Sequence, residues 1–487
     1  MESIKGVSPE EAFRAIRGRR NPFIVSGGPL KGRKGEGGGK GKRFSFVSAE
    51  PFSVLTSEAG GTFVDGAGKG GEMEKDFLSA LSELLKRYRP DKKSLFHFPF
   101  NGGAVGYFSY DLKDFIEGRP GGTSRKPASA EATDGVPLAY LGFYDPVFVY
   151  DHSEAEGYLV SAETPGIAGL RERFEEFKEV LASPPSPPSP ALAGPGEKGE
   201  KTLSSNFMKE EYIAAVKKAK EYISAGDIYQ INLSQKLSVP FSGDPFELYL
   251  ALSRHGAGRF ASYMEFDGFQ IVSNSPERLL KIADGLIETQ PIKGTRPRGA
   301  TPEEDRALVE ELKNSPKERA EHVMVVDLER SDLGKVSVAG TVEVSEFEAL
   351  ETYPHLHHMV STVTGRLRPG VGPAEALKAV FPGGSITGTP KIRAMEIIDE
   401  IEPAPRGIYT GAMGWMDTGG GMDLSMAIRT ALCKDGTLHL SVGGGIVADS
   451  DPEAEYEETL LKAKDFLKVL GLLPETALAG HPATHKR

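Results

Sequence analysis

One cysteine, Cys433, occurs in 487 residues, so no internal disulfide framework holds the chain together, and this thiol reads as a small apolar filler in a protein of a reducing compartment. No run of about 18 apolar residues is present. The opening Met1-Glu2-Ser3-Ile4-Lys5 has no apolar core, so neither a membrane span nor a secretory signal is expected, and the expected location is the cytoplasm. Positive charge is also scarce: 58 Lys+Arg stand against 69 Asp+Glu, a formal net charge of −11. No segment gathers the basic block that a nucleic-acid partner would require. No 20–50-residue period recurs, which argues against a solenoid or propeller.

What is present is enough chain for a large core, punctuated twice by low-complexity sequence. A Gly/Lys-rich run from Lys31 to Lys42 reads as a surface loop. SPPSPPSPALAGPGEKGEK, Ser183 to Lys201, reads as a linker. These divide the chain into an N-terminal region 1–182, a linker 183–203, a main domain 204–472 and a polar tail 473–487. Strand-like runs at 138–143 and 146–150 mix with amphipathic helices at about 74–88 and 208–225, an α+β texture.

The chemistry lies between Ser273 and Lys464. In PIKGTRPRG (291–299), Lys293 sits between Pro291 and Pro297, a stiff setting that would aim its amine. It is open to two readings, a solvated turn lysine or a nucleophile. Glu277, after Ser275-Pro276, could be a helix-cap acid or a proton carrier. Two acidic pairs, Glu318/Glu321 and Glu455/Glu458, are each spaced i, i+3, so each pair shares a helix face. Together they would offer the hard oxygen donors that Mg²⁺ prefers; separately they are ordinary solvated pairs, with Glu458–Lys462 an i, i+4 ion pair worth roughly 0.3–0.5 kcal/mol. The apolar run after Glu321, His322 to Leu328, places that acid at the mouth of a core.

FPGGSITGTPK (381–391) supplies a glycine loop leading into a helix, a natural anion site through its amides. Arg429 interrupts the strand-like run 422–432, and arginine suits a carboxylate bidentately. Gly443, Gly444 and Gly445 at a strand end permit close approach of backbone to ligand. His355, His357 and His358 cluster without zinc-type ligand spacing, leaving a single histidine as acid or base.

In this order, SPERL (275–279), PIKGT (291–295), VDLERSDLGKV (326–336), FPGGSITGTPK and GGGIVADSDPEAEYEET (443–459) resemble the chorismate-binding family. That family includes anthranilate synthase component I, isochorismate and salicylate synthases, and aminodeoxychorismate synthase. RFSFVSAEPF (43–52) is more loosely similar to the region where many members bind tryptophan. The resemblance implies an anthranilate synthase component I-like α+β fold, large mixed or antiparallel sheets packed face to face with helices outside. It also implies Mg²⁺ on Glu318, Glu321, Glu455 and Glu458. Substrate carboxylates would be held by Tyr409, Arg429, Gly443, Gly444, Gly445 and Lys462, with Gly384, Ser385 and Thr387 on the adjoining loop. Lys293, Glu277 and His358 fall on the catalytic positions. Lysine in PIKGT, where anthranilate- and isochorismate-type members usually carry alanine, implies amination of chorismate at ring C4. Thr389 stands where alanine is usual before the proline, a change that bears on pocket shape. No GxCxG nucleophile elbow occurs in the chain, so ammonia is expected from a separate glutamine amidotransferase.

Overall fold

The computed structural model describes residues 1–27, 43–58, 61–66, 71–73, 75–91, 97–116, 134–183, 203–254, 258–353 and 356–472. The glycine/lysine run, nearly all of the expected linker, the tail and His355 lie outside these.

Two twelve-stranded sheets make up the frame, and every strand pairing among the described residues is antiparallel. Each sheet draws strands from both ends of the chain. In the first, Phe23–Gly27 pairs with Phe260–Phe266, and Thr430–Lys434 and Thr437–Ile446 follow further along. In the second, Gly103–Phe108 pairs with Ala412–Asp417. The cause is visible in the side chains. Phe23, Phe44, Phe46, Tyr107, Phe266, Phe269, Met413 and Trp415 point from the two sheets into one buried aromatic layer, and apolar area removed from water at roughly 25 cal/mol per Å² favours keeping it shared.

Helices cover the outer faces. Phe77–Arg87 and Pro373–Val380 lie on the second sheet, with the buried side of Pro316–Gly334 contributing Val326 and Leu333. Pro9–Ile16, Pro245–Arg254 and Pro452–Val469 cover the first. Lys209–Ser224 and Lys391–Ile401 form a smaller apolar cluster with Ile231, Leu233 and Ile446. The expected helices at 74–88 and 208–225 are thus present, trimmed at their ends: Asp76 caps the first by accepting from the Ser79 N–H.

Three local readings are corrected. The run 422–432 is two strands, Met422–Met426 and Thr430–Lys434, broken where Arg429 adopts φ +50°. Lys293 lies on a strand, Ile292–Pro297, rather than a turn. Glu277 sits between two strands, Phe269–Ser275 and Arg278–Ala283, and caps no helix. Cys433 is buried in a strand, as a filler should be. Among the described residues no helix is long and apolar enough to cross a membrane.

Candidate active site

Lys293 is aimed by an irregularity in its own strand. Pairing with Leu356–Arg366 shifts register between Ile292 and Thr295, and Gly294 takes φ +82°. The bulge frees Lys293 from the ladder and turns its amine inward. A Cβ added to Gly445 would stand 3.4 Å from Lys293 Nζ and 2.7 Å from Gln230 Nε2. The lysine, the glutamine and the end of the glycine strand therefore meet at one point.

Glu277 is 5 % exposed. It is fixed by its neighbour: the Arg278 guanidinium donates to Asp423 at 2.8 and 3.0 Å and to Glu288 at 2.7 Å, pinning the strand that begins directly after the acid. Ser385 Oγ donates to Glu277 Oε1 at 2.6 Å. Burial pushes the carboxyl up to about 7, against the opposing pull of the Ser385 hydroxyl, the Lys293 charge, the Ile292 N–H and Arg429. Such a group can give and take a proton near neutral pH.

His358 is buried on the strand Leu356–Arg366, its Nδ1 paired with Thr295 Oγ1 at 2.8 Å. Burial and then the positive charge of Arg429 push it down to about 3. It is held as the neutral imidazole, able to accept a proton or donate from a neutral N–H. Arg429 is itself pushed below its ordinary value by burial, with Asp465 and Glu277 opposing. Its bend is tied to that of Thr410 (φ +60°): the Thr410 N–H donates to the Ala427 carbonyl at 2.9 Å. Strained backbone of this kind persists only where packing enforces it.

The glycine strand forms the opposite wall. A Cβ at Gly443 would lie 2.9 Å from the Tyr409 hydroxyl; one at Gly444 would lie 3.2 Å from Glu455 Oε2, 3.7 Å from Glu458 Oε1 and 3.9 Å from Lys462 Nζ. Burial pushes Tyr409 up to about 12, so it remains a neutral hydroxyl. Lys462 Nζ donates to the Gly443 carbonyl and bonds Glu458, each at 2.8 Å. Glu455 accepts from Ser450 Oγ at 2.6 Å.

Glu318 approaches from the Lys293 side. Its Oε2 would be 3.2 Å from a Cβ on Gly294, and Arg296 Nη1 lies 3.3 Å from its Oε1. Glu321, one helical turn on, is half-buried, and His322 beside it is fully buried, in keeping with a place at the core's mouth. Glu318, Glu455 and Glu458 thus flank the Lys293–Gly445 contact, Glu318 next to Gly294 and Glu455 and Glu458 next to Gly444. The acids stand as two pairs: among the described residues no three acidic, histidine or cysteine side chains gather as a metal cluster. Their chemistry, carboxylate oxygens from two helices facing one glycine-lined gap, is nonetheless the donor set that Mg²⁺ accepts.

The loop 383–387 departs from a simple anion cradle. The Gly384 N–H, expected to be available to a ligand, donates to Glu329 Oε1 at 3.0 Å. Thr387 is fully buried and turns its hydroxyl onto the Gly383 carbonyl at 3.0 Å. Ser385 alone of the three sends its side chain to a catalytic candidate.

Several site residues carried no signal in the sequence pattern. Gln230 is one polar residue at the start of the strand Gln230–Pro240, with no motif to mark it. His322 Nε2 pairs with Ser361 Oγ at 2.5 Å, while burial and the Lys293 charge push the ring down to about 4. Arg406 and Glu402 form a buried pair at 2.7 Å, and Arg406 also donates to the carbonyls of Asn232 at 2.7 Å and Ile386 at 3.0 Å. It thereby ties the glycine loop to the strand Gln230–Pro240. Nothing in PAPRGIY distinguishes such an arginine from an exposed one.

Comparison with known proteins gives a consistent answer. A chorismate binding enzyme family model matches residues 37–468. Anthranilate synthase component 1 of Acetivibrio thermocellus is 39% identical over 445 residues, 89% of this chain and 88% of that protein. Aminodeoxychorismate synthase component 1 of Escherichia coli (strain K12) is 38% identical over 432 residues, 88% of this chain and 90% of that protein. The crystal structure of anthranilate synthase component I from Streptococcus pneumoniae TIGR4 superposes with a TM-score of 0.74 at 30% identity, covering 90% of this chain and 93% of that one. The expected fold is therefore the observed one, its sheets antiparallel rather than mixed, and the chain belongs to the chorismate-binding enzyme family.

Proposed function

We propose that the chain aminates chorismate at ring C4 to give 4-amino-4-deoxychorismate, a precursor of 4-aminobenzoate for folate biosynthesis, using ammonia from a separate glutamine amidotransferase subunit. The observation that carries this reading is the Lys293 amine, placed 3.4 Å from where a Gly445 side chain would begin and within the field of the buried Glu277. Lys293, as the unprotonated amine, attacks C2 through Nζ; the ring double bonds shift, and the C4–O bond breaks. Glu277 gives its proton to the departing hydroxyl, which leaves as water. Ammonia then bonds to C4, the double bonds shift back, and the C2–N bond to Lys293 breaks as the amine leaves. Arg429, Tyr409, Lys462 and the backbone of Gly443, Gly444 and Gly445 hold the substrate carboxylates. Neutral His358, oriented by Thr295, lies beside the ring. Mg²⁺ would be held by Glu318, Glu321, Glu455 and Glu458, and when bound supplies positive charge to offset the substrate's carboxylates.

Relatives named anthranilate synthase component 1 and aminodeoxychorismate synthase component 1 are almost equally similar, at 39% and 38%, so the competing reading is anthranilate formation, alone or by a subunit serving both pathways. The test incubates the purified chain with chorismate, Mg²⁺ and concentrated ammonium at alkaline pH and identifies the product by mass and absorbance, for the native protein and Lys293→Ala. Aminodeoxychorismate that is lost in the variant supports the reading. Anthranilate from the native chain overturns it.

A further inference from the structure

The helix Pro316–Gly334 carries a buried acid that the mechanism above does not use. Glu329 is 2 % exposed. Its Oε1 accepts from the Gly384 N–H at 3.0 Å, and its Oε2 has no partner. The next residue of the loop, Ser385, donates its hydroxyl to Glu277 at 2.6 Å. Two buried carboxyl groups, from elements far apart in sequence, therefore grip successive residues of one glycine loop. A buried carboxylate oxygen without a hydrogen bond is costly, so Glu329 ionises less readily than an exposed acid.

We propose that Glu329 is a positioning residue for Glu277: it holds the Gly384–Ser385 step in place, and its own ionisation governs how tightly Glu277 keeps the proton it gives to the departing hydroxyl. The proposal rests on the proton-carrying role assigned to Glu277 above. The charged surroundings of the two acids agree with it. Glu329 is pushed up to about 7 by burial; Lys391 opposes this, Asp332 adds to it, the Gly384 N–H opposes it and Glu277 adds to it. Asp332 is neutralised by Lys391 and by Lys335 at 2.8 Å, so it does not dominate. Glu277 in turn faces Lys293 and Arg429. Glu277 is the last of the charges acting on Glu329, and a pairwise interaction is reciprocal, so the ionisation of either acid holds the proton of the other more tightly. An ionised Glu329 keeps Glu277 protonated to higher pH, where an acid is still needed.

The test follows chorismate consumption, whatever the product, as a function of pH for the native protein and Glu329→Gln. The glutamine keeps an oxygen for the Gly384 N–H and removes the charge. Expected is an alkaline limb of kcat moved toward lower pH by about half a unit or more, with KM little changed. A lower but superimposable profile would make Glu329 structural only and overturn the proposal. If Glu329→Gln does not fold, or the chain consumes no chorismate, infrared titration of protonated carboxyl groups decides without turnover. In Glu277→Gln the Glu329 band should titrate at lower pH than in the native protein, and an unmoved midpoint would end the proposal.

Discussion

The Lys293 amine faces the Gly445 backbone so closely that a single added carbon there would touch it at 3.4 Å and crowd Gln230 Nε2 at 2.7 Å. A side chain at this position can be accommodated only by swinging two flexible tips out of the pocket. Gly445→Ala should therefore fold with nearly native Tm. Its kcat/KM for chorismate should fall by about tenfold or more, roughly 1.4 kcal/mol of lost transition-state stabilisation. Steady-state kinetics beside a melting curve checks this; unchanged kcat/KM would remove Gly445 from the pocket.

Glu277 offers a prediction in which activity and stability move oppositely. As a proton carrier its replacement by Gln should lower kcat by about 10²–10⁴. Its carboxyl titrates near 7 in the folded protein against an ordinary 4.5, so the folded state binds this proton more tightly than the unfolded one. Its contribution to stability is present below about pH 4.5 and is lost as pH rises through 7. Glu277→Gln escapes that loss and should gain on the native protein with rising pH, reaching roughly 3 kcal/mol by pH 8. Denaturant melts at pH 4.5 and 8 measure the difference, and a constant gap between the proteins would contradict the burial argument.

Much of this site was legible in the sequence because its parts are local. A lysine between two prolines, glycines in a row and acids at i, i+3 can be recognised without knowing what they face. What was not legible depends on partners far away in the chain. Glu329 gains meaning only from Gly384, and Arg406 only from Asn232 and Ile386. The bend at Arg429 was hidden for a related reason. The apolar pattern of 422–432 continues across it, and only the backbone bond from Thr410 to Ala427 shows where the strand stops. The fold class followed from the resemblance; that both sheets mix strands from the two ends of the chain is a matter of long-range register.

Arg406 should behave as a structural clamp rather than a ligand. Its guanidinium is spent on Glu402, Asn232, Ile386 and Thr410, all buried. Arg406→Met leaves the Glu402 carboxylate in the core, where it retains only Ser234. The expected loss is about 3–5 kcal/mol. Denaturant unfolding would show it directly, and a double variant Arg406→Met/Glu402→Leu should recover part of it. If the single variant loses less than about 1 kcal/mol, the pair is not the clamp described.

The acidic pairs give the last prediction, on metal dependence. Glu458 is held by Lys462 at 2.8 Å and Glu318 by Arg296 at 3.3 Å, so a divalent cation must displace or share these cationic partners to bind. Removal of divalent cations with a chelator should abolish turnover, and added Mg²⁺ should restore it. Glu458→Gln removes one donor while leaving Glu455 against Gly444, and should weaken Mg²⁺ binding at least about tenfold by calorimetry. Glu453, in the first turn of the same helix and exposed, provides the control, because Glu453→Gln alters the local charge equally without facing the glycine strand. Equal weakening in both variants would mean that Mg²⁺ responds to the helix's overall charge, and the four-carboxylate assignment would fail.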